Sequence, residues 1–392
     1  MKIVAAGGGS GGHVTPVVAV LRELKRHDAD LKAYFVTDRG YSQQAAAFMA
    51  KAPFEVRVKR IFSGKWRRYH AVSWWRQLID IPTMLKNLRD IFLFGLGLLQ
   101  SLWFLRRVKP DVVFGKGGFV CLPVGLAAKV LRIPLVIHDS DIHPGLTNRI
   151  LARYATVIAT GAPTKFYPYP AERTHYVGIP VDRSYRVVTA RQQQACKAAL
   201  GLPDTKRPLI VVTGGGLGAR NLNRVVVSIA GQLLEHAAIL HVTGQANYEE
   251  VLADAPDRPD YIVKAFLPEG FAIAFGAADI VITRAGATTM LELAASGKPV
   301  VIVPSPYLPG AHQIKNAAMY EQTGAAIVCD EAELIMNPLK LKHVLLDLLA
   351  NSKKRAALST TLHKFAKPDA AIDTAALIAE AAYAHTKQKQ TG

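Results

Sequence analysis

The chain has 392 residues, of which 50% are apolar, and Lys plus Arg outnumber Asp plus Glu by 48 to 30. The apolar share excludes a disordered chain, and the length exceeds what one hydrophobic core usually organises, so we expect two domains with a cleft between them. Like charges repel within a compact fold. The positive excess therefore indicates an anionic partner, which is nucleic acid, anionic lipid or a phosphorylated substrate.

The cysteines predict a reducing compartment. Cys121, Cys196 and Cys329 are far apart and in no CxxC spacing, so they predict neither a disulfide framework nor a zinc site. At the N-terminus a short apolar segment runs directly into glycines, which leaves no room for the apolar region of a signal peptide. We therefore expect a protein that is not exported.

Short, continuous apolar runs predict strands that are buried on both faces, and hence parallel sheets covered by helices. The runs form two sets: KIVAAG (2–7), KAYFVT (32–37), DVVFG (111–115), PLVIH (134–138) and TVIAT (156–160), then PLIVVTG (208–214), AILHVTG (238–244), YIVKAF (261–266), DIVIT (279–283) and PVVIVP (299–304). Two doubly wound α/β domains are the economical interpretation.

The domain boundary is predicted near GIPV (178–181), where Gly and Pro punctuate a strand end. The first domain then covers residues 1–178 and the second covers residues 179–367. An Ala-rich segment at about 368–386 predicts one last helix, which we expect to cross back to the first domain.

Two glycine-rich turns predict phosphate-binding loops. GGGSGGHVTP (7–16) follows the first strand and opens a helix, and TGGGLGARNLN (213–223) has the same place in the second domain. Glycines let backbone N–H groups approach a ligand, and a helix N-terminus favours negative charge, so a diphosphate fits each loop. A nicotinamide enzyme, with Asp38 on the ribose, is an alternative for the first loop alone. A second alternative, for either loop, is that the glycines serve only tight packing between helix and strand.

Six blocks of sequence together resemble the MurG family of glycosyltransferases, in order and at the family's spacing. They are GGGSGGHVTP (7–16), GKGGFV (115–120) with GLAA (125–128), HDSDIHPGLTN (138–148), GGGLGARNLN (214–223), TRAGATTMLELAASGKPVVIVP (283–304) and AHQIKNA (311–317). The resemblance implies the GT-B fold, with two Rossmann-like domains facing a cleft. It also implies UDP-N-acetylglucosamine as donor and an undecaprenyl-diphosphate-linked muramyl-pentapeptide as acceptor.

The same resemblance implies a donor site in the second domain. Glu292 would hydrogen-bond the ribose hydroxyls, and Phe266 with Leu267 would contact the uracil, although Pro268 and the two residues after it depart from the family's acidic pair. The other implied donor residues are Gly216, Arg220, Asn223, Arg284, Gly286, Ala287, Thr288, His312, Gln313 and Asn316. The alternatives are that Glu292 is an ordinary solvated helix residue and that Phe266 is an aromatic residue of the core.

The acceptor side is implied in the first domain. Ser10, Gly11, Gly12, Phe119 and Asn148 would contact the acceptor, and Phe119 stands where the family often has Tyr.

A general base must take the proton from the attacking hydroxyl, and His suits that task near neutral pH. His13 is the first candidate, with His138 and Asp141 as competitors. A loop histidine that only bonds a carbonyl is the alternative for either His.

Two departures from the family pattern bear on the acceptor and the donor. The segment 138–141 reads HDSD where the family usually has His-Glu-Gln-Asn, and Gly216 stands where it usually has Ser. Asp141 would repel a diphosphate unless Lys or Arg offsets its charge. The segment also matches the DxD pattern of metal-binding glycosyltransferases, but GT-B enzymes generally use helix dipoles and basic groups instead. We therefore expect no metal and no cofactor.

Residues 51–110 predict contact with a membrane surface. They hold thirteen Lys or Arg against three acids, and they contain every tryptophan of the chain: Trp66, Trp74, Trp75 and Trp103. Apolar residues recur at helical spacing at Met84, Leu85, Leu88, Ile91, Phe92, Leu96, Leu99, Leu102 and Leu105. The apolar run 91–105 is shorter than the ~20 residues that a bilayer requires. An interfacial helix with basic and aromatic anchors is therefore expected, with a helix buried against its own sheet as the alternative.

The resulting hypothesis is an inverting N-acetylglucosaminyltransferase, peripheral to the cytoplasmic face of the cell membrane. Other hypotheses are a glycolipid synthase that transfers a sugar to diacylglycerol and a sugar-nucleotide-binding scaffold without activity. A nucleic-acid-binding protein is disfavoured, because the chain has no helix-turn-helix, RNP or zinc-finger pattern.

Overall fold

The computed structural model describes residues 1–8, 14–50, 52–64, 81–140, 144–215, 218–267, 271–306 and 312–391. The chain divides into two compact units. The first consists of Met1–Asp182 with Lys367–Gly392, and the second of Arg183–Ala366.

The first unit is built on a parallel sheet of seven strands. They are β1 (Lys2–Ala6), β2 (Lys32–Asp38), β3 (Val56–Ile61), β4 (Val112–Gly115), β5 (Leu135–Asp139), β6 (Val157–Thr160) and β7 (Thr174–Tyr176). Their order is β3-β2-β1-β4-β5-β6-β7, and each neighbouring pair is parallel. The first six strands thus follow the order of a Rossmann sheet.

Helices cover both faces of this sheet because its central strands, such as β4 and β5, are buried on both sides. They are α1 (Thr15–His27), α2 (Ser42–Met49), α3 (Ile81–Val108), α4 (Cys121–Val130) and α5 (Leu146–Leu151). One core cluster lies under α1 and includes Phe35 and Phe114, and the other lies under α4 and includes Ile137 and Ile158.

The second unit repeats this architecture. Its strands are β8 (Leu209–Thr213), β9 (Ala238–Val242), β10 (Tyr261–Lys264), β11 (Ile280–Thr283), β12 (Val300–Ile302) and β13 (Ile327–Val328), in the parallel order β10-β9-β8-β11-β12-β13. Its helices are α6 (Ala190–Ala199), α7 (Arg220–Leu233), α8 (Tyr248–Asp254), α9 (Ala272–Ala277), α10 (Ala287–Ser296), α11 (His312–Gln322), α12 (Glu331–Met336), α13 (Leu339–Ala350) and α14 (Ser352–His363). The prediction of two doubly wound α/β units is confirmed.

The last helix, α15 (Ala370–Thr391), belongs to the first unit. Its buried residues Ala375, Ile378, Ala381 and Ala382 share a core cluster with Val17 and Leu21 of α1. The C-terminal segment therefore completes the apolar core of the first unit.

Helix α3 is longer than the apolar run 91–105, from which the sequence analysis judged its length. The structure continues the helix through Lys86, Arg89 and Asp90, and residues Met84–Val108 are long and apolar enough to cross a membrane, with 28% of the apolar window buried. Counting only the uncharged run was wrong, because charged side chains do not end a helix whose backbone bonds continue. Seven large side chains of α3 are exposed: Met84, Leu85, Leu88, Ile91, Phe92, Leu99 and Trp103.

The opposite face of α3 packs against its own unit. Phe104 and Leu105 are buried in the core, and a Cβ on Gly97 would lie 2.0 Å from the carbonyl oxygen of Phe62. A Cβ on Gly64 would similarly lie 1.9 Å from the carbonyl oxygen of Asp90. The segment after β3 therefore touches the helix backbone directly, and α3 is an integral layer of the first unit.

The two glycines of α3 provide a matched pair for testing this contact. Gly97→Ala should destabilise the first unit by ~1–3 kcal/mol, because its Cβ meets backbone that must move. Gly95→Ala should stabilise it by ~0.5–1 kcal/mol, since a Cβ there has nothing within 4 Å and Ala favours a helix. Urea unfolding followed by tryptophan fluorescence would measure both, because all four tryptophans belong to the first unit. Equal effects of the two substitutions would contradict the packing of α3 described above.

Candidate functional site

Polar chemistry in the first unit gathers where strands β1, β4 and β5 end. After β4, Gly117 and Gly118 adopt φ of 103° and 85°, which side-chain-bearing residues rarely adopt. The turn buries the Lys116 side chain, whose Nζ donates to the hydroxyl of Ser140 beyond β5. Phe119 is half-buried against the core under α4. The turn thus places a buried cation beside Ser140, the residue after β5.

The structure places His138 in the interior of the first unit. Its ring is fully buried, and Nε2 lies 2.7 Å from the carbonyl oxygen of Gly178, where the ring must donate. Desolvation holds the pKa of His138 well below its usual range, and the positive charge of Lys116 lowers it further. Its Nδ1 is buried and has no hydrogen-bond partner among the described residues, so the role of His138 as a base stays a prediction. The Nε2 contact ties β5 to Gly178, which follows β7.

The neighbours of His138 are also held by protein groups. Asn148 is buried in α5 and donates from Nδ2 to the His138 carbonyl oxygen over 3.2 Å. Asp139 accepts a hydrogen bond of 2.8 Å from the Tyr169 hydroxyl, and burial together with Asp139 raises the pKa of Tyr169. Within the described ranges, no group of three His, Cys, Asp or Glu side chains is placed to hold a metal ion.

In the second unit, the turn from β8 to α7 is shaped by glycines. Gly215 and Gly218 have φ of 80° and 76°, and a Cβ on Gly218 would lie 2.3 Å from the carbonyl oxygen of Thr243. No side chain caps α7 at its N-cap residue, Ala219. Arg220 is exposed and pairs with Glu250, at 3.0 Å from Nε to Oε2. In the structure the cation of Arg220 therefore lies toward α8.

Asn223, in the first turn of α7, is fully buried and belongs to a chain of hydrogen bonds. Its Nδ2 donates to the Thr243 carbonyl oxygen over 3.0 Å, and its Oδ1 lies 3.1 Å from His241 Nε2. His241 Nδ1 in turn lies 2.8 Å from the Tyr261 hydroxyl. The predicted donor contact of Asn223 stays a prediction, and in the structure both ends of its amide bind protein groups.

The turn from β11 to α10 holds a buried ion pair. Arg284 Nη2 lies 2.5 Å from Glu331 Oε1, and Nη1 donates to the Val303 carbonyl oxygen over 2.9 Å. Glu331 thus balances the charge of Arg284, whose place in the nucleotide site stays a prediction. The guanidinium ties together the ends of β11, β12 and β13.

The start of α10 presents backbone groups at the same edge. Gly286 is the N-cap residue in extended conformation without a side-chain cap, and Ala287 and Thr288 are half-buried in the first turn. Glu292, one turn further, is buried at 6% exposure. The alternative that Glu292 is an ordinary solvated helix residue is therefore wrong.

Helix α11 brings two of the predicted amides to this edge. Asn316 is buried and donates to the Ala285 carbonyl oxygen over 3.1 Å, while Gln313 accepts a hydrogen bond of 2.9 Å from the Ser305 amide. Both contacts join α11 to the turns that follow β11 and β12. Phe266 and Leu267 follow β10, where Phe266 is 39% exposed and Leu267 packs on the core. The exposure of Phe266 argues against a purely core role.

Several predicted positions lie outside the described residues: Ser10, Gly11, Gly12, His13, Asp141 and Gly216. The same holds for the side chain of His312, although its backbone begins α11. Sequence reasoning missed Glu331 and His241. A usable signal existed for His241, because it is the one polar residue within the buried run AILHV. Glu331 is distant in sequence from Arg284 and lacks any such signal.

Comparison with known proteins identifies the class. Residues 3–160 match the glycosyltransferase family 28 N-terminal domain and residues 209–373 match the family 28 C-terminal domain. The N-acetylglucosaminyltransferase of Bacillus pumilus named for UDP-N-acetylglucosamine and N-acetylmuramyl-(pentapeptide) pyrophosphoryl-undecaprenol is 31% identical over 95% of this chain and 96% of its own. The same enzyme of Listeria welshimeri is 34% identical over 95% and 97%.

The crystal structure of Acinetobacter baumannii MurG matches with a TM-score of 0.67 and 25% identity, covering 97% of this chain and 99% of its own. The fold is thus the GT-B glycosyltransferase fold. The chain belongs to the MurG family of N-acetylglucosaminyltransferases, to which the six sequence blocks had pointed.

The buried His241 predicts an acid-sensitive second unit. Desolvation lowers the pKa of His241 from 6.5 to about 4, so the unfolded chain takes up the proton first. The contribution of His241 to the free energy of unfolding should therefore fall by about 1.4 kcal/mol per pH unit as the pH drops from about 6.5 to about 4. Below about pH 4 this contribution no longer changes. At about pH 5 the loss is ~2 kcal/mol.

The measurement is urea unfolding of the wild type and His241→Gln, followed by circular dichroism at neutral pH and at about pH 5. Gln does not titrate, so the variant should lack this part of the acid loss. His138 contributes equally to the pH dependence of unfolding in both proteins, so its contribution cancels in the comparison. An identical pH dependence in the two proteins would contradict the assignment to His241.

Proposed function

We propose that this chain transfers N-acetylglucosamine from UDP-N-acetylglucosamine to an undecaprenyl-diphosphate-linked N-acetylmuramyl-pentapeptide. The observation that carries the proposal is 31% and 34% identity, over 95% of the chain, to relatives that are named for this reaction. The glycine turns at the carboxyl edges of both sheets support it, because they offer backbone amides to phosphorylated ligands.

The reaction is an inverting displacement. A base takes the proton of the acceptor hydroxyl, whose oxygen attacks the anomeric carbon from the face opposite UDP. The bond between that carbon and the diphosphate oxygen breaks, and UDP leaves with the electron pair. His13 is the first candidate for the base, with His138 and Asp141 as competitors, and the full burial of His138 argues against it.

Stabilisation of the departing UDP falls mainly on backbone amides. The uncapped first turns of α7 and α10 supply N–H groups and the positive ends of two helix dipoles. Arg284 contributes by holding the β11–α10 turn, since its own charge is balanced by Glu331. Glu292, near that turn, accepts the ribose hydroxyls in this proposal.

A transfer assay tests the function directly. The protein is incubated with labelled UDP-N-acetylglucosamine and, in separate arms, with the lipid-linked muramyl-pentapeptide or with diacylglycerol. We expect label only in the first arm. Transfer to diacylglycerol alone would indicate the glycolipid synthase, and UDP binding without transfer to either lipid would indicate a scaffold; each result would overturn the proposal.

We further propose that the chain is peripheral to the cytoplasmic face of the cell membrane. The exposed apolar side chains of α3 provide a face for the bilayer, and Lys86, Arg89, Arg106 and Arg107 lie on the same helix. Basic residues near an anionic leaflet contribute attraction of about 1 kcal/mol each. The free cysteines are consistent with a reducing compartment.

Removing Glu292 tests the donor site. Glu292→Ala should raise the Kd for UDP and the KM for the UDP-sugar about 30-fold, which corresponds to ~2 kcal/mol of lost hydroxyl contacts. Titration calorimetry and initial rates would measure the two constants. Glu321→Ala, on the exposed surface of α11, is the control and should change neither. Unaltered donor constants in folded Glu292→Ala would remove Glu292 from the site.

Charge placed on α3 tests the membrane face. Leu88 and Phe92 are 64% and 67% exposed, and replacing both with Glu should abolish sedimentation with anionic vesicles, because acids would meet lipid and anionic headgroups. UDP binding should persist. Val130→Glu, at a 62% exposed position on α4, is the matched control and should sediment like the wild type. Wild-type protein that stays in the supernatant at low salt would refute the membrane proposal.

A further inference from the structure

A directed chain of hydrogen bonds runs through the core of the second unit, from β10 to α7. Asn223 Nδ2 donates to the Thr243 carbonyl oxygen, so Asn223 Oδ1 is the acceptor that faces His241. His241 Nε2 must then carry the proton, which leaves Nδ1 to accept from the Tyr261 hydroxyl. With His241 protonated on Nε2, each side chain donates to the next group: Tyr261 to His241, His241 to Asn223, and Asn223 to the Thr243 carbonyl oxygen.

The carbonyl oxygen of Thr243 joins this chain to the glycine turn before α7. It accepts from Asn223 over 3.0 Å and from Asn247 Nδ2 over 3.3 Å. It also lies 2.3 Å from where a Cβ of Gly218 would stand, so the backbone of the turn rests on it. A shift of Asn223 would therefore move both the first turn of α7 and the end of the glycine turn.

His241 and Asn223 have 0% exposed surface, and Tyr261 has 6%. A group with no accessible surface does not touch a substrate, and its influence must pass through what it holds. The backbone amides of the turn are rigid donors only while the turn keeps its place. A displacement of a fraction of an ångström weakens hydrogen bonds to a diphosphate, since these depend steeply on geometry.

We infer that His241, oriented by Tyr261, is a positioning residue for the nucleotide diphosphate: through Asn223 and Thr243 it sets the glycine turn that receives the donor. The inference rests on the proposed use of a UDP-sugar. It assigns a role in donor recognition to two residues of strands β9 and β10, neither of which reaches the ligand.

Three substitutions disturb this chain of hydrogen bonds to different degrees. His241→Leu removes both hydrogen bonds and leaves Asn223 Oδ1 unpartnered in the core. His241→Gln keeps an N–H near the place of Nε2 and should rescue much of the function. Tyr261→Phe removes only the hydroxyl that orients the ring. Ile239→Ala is the control, because Ile239 lies two residues before His241 on the same face of β9, is fully buried, and belongs to the cluster that packs on α7.

The experiment measures UDP binding by calorimetry and steady-state rates for each variant, below its unfolding transition. We expect His241→Leu to raise the Kd for UDP and the donor KM about tenfold, as when one geometry-dependent hydrogen bond is lost, while the acceptor KM stays unchanged. Tyr261→Phe should lie between the wild type and His241→Leu. Ile239→Ala should lower the unfolding temperature but keep wild-type affinity for UDP.

Two results would overturn the inference while leaving the proposed function intact. One is wild-type UDP affinity in folded His241→Leu. The other is an equal loss of affinity in Ile239→Ala, which would assign the effect to general destabilisation. Failure of the wild type to bind UDP would instead overturn the donor assignment itself, and this inference with it.

Discussion

Burial of parallel strands on both faces is the constraint from which the functional architecture follows. Strands such as β5, β8 and β9 have no exposed residue, so the sheet faces are closed to a ligand. Contact with a ligand is confined to the turns at the carboxyl edge, where each strand gives way to a helix. In both units glycines with positive φ shape those turns, and the helix N-termini beside them favour anions.

Several polar side chains at these edges are bound to other protein groups in the structure. Arg284 is held by Glu331, Asn223 by His241, and Asn148 by the His138 carbonyl. Buried polar groups demand such partners, because an unpaired one costs about 1–3 kcal/mol. Side chains committed in this way act as scaffolding that fixes the backbone. In the proposed donor site, a diphosphate would then meet amides whose positions are set in advance, which avoids ordering them at the moment of binding.

The same distinction decides what the sequence can predict. Strand positions and the doubly wound fold follow from runs such as PLIVVTG and DIVIT, since continuous apolar segments between turns allow few other arrangements. Residue types in the loops indicate which positions carry chemistry. They do not show the direction in which each side chain points. The partners of His138 and Arg284 are Gly178 and Glu331, which come from distant segments that only the folded chain brings close.

The packing of α3 supports the proposal that this helix provides a membrane face, because it opposes insertion of the helix across a bilayer. Its backbone touches the chain after β3 at Gly97 and at Asp90, opposite Gly64, and its buried side contributes Phe104 and Leu105 to the core. Insertion of α3 into a bilayer would separate the helix from the sheet and expose the apolar residues beneath it. It would also carry the buried carboxylate of Asp90, paired with Arg89 at 3.0 Å, toward lipid. A charged residue at a bilayer centre costs about 2.5–3.5 kcal/mol even on scales that give low values. Docking through the exposed stripe buries the same outer apolar surface and leaves the domain intact, so the surface-bound state is the one that the packing of α3 favours.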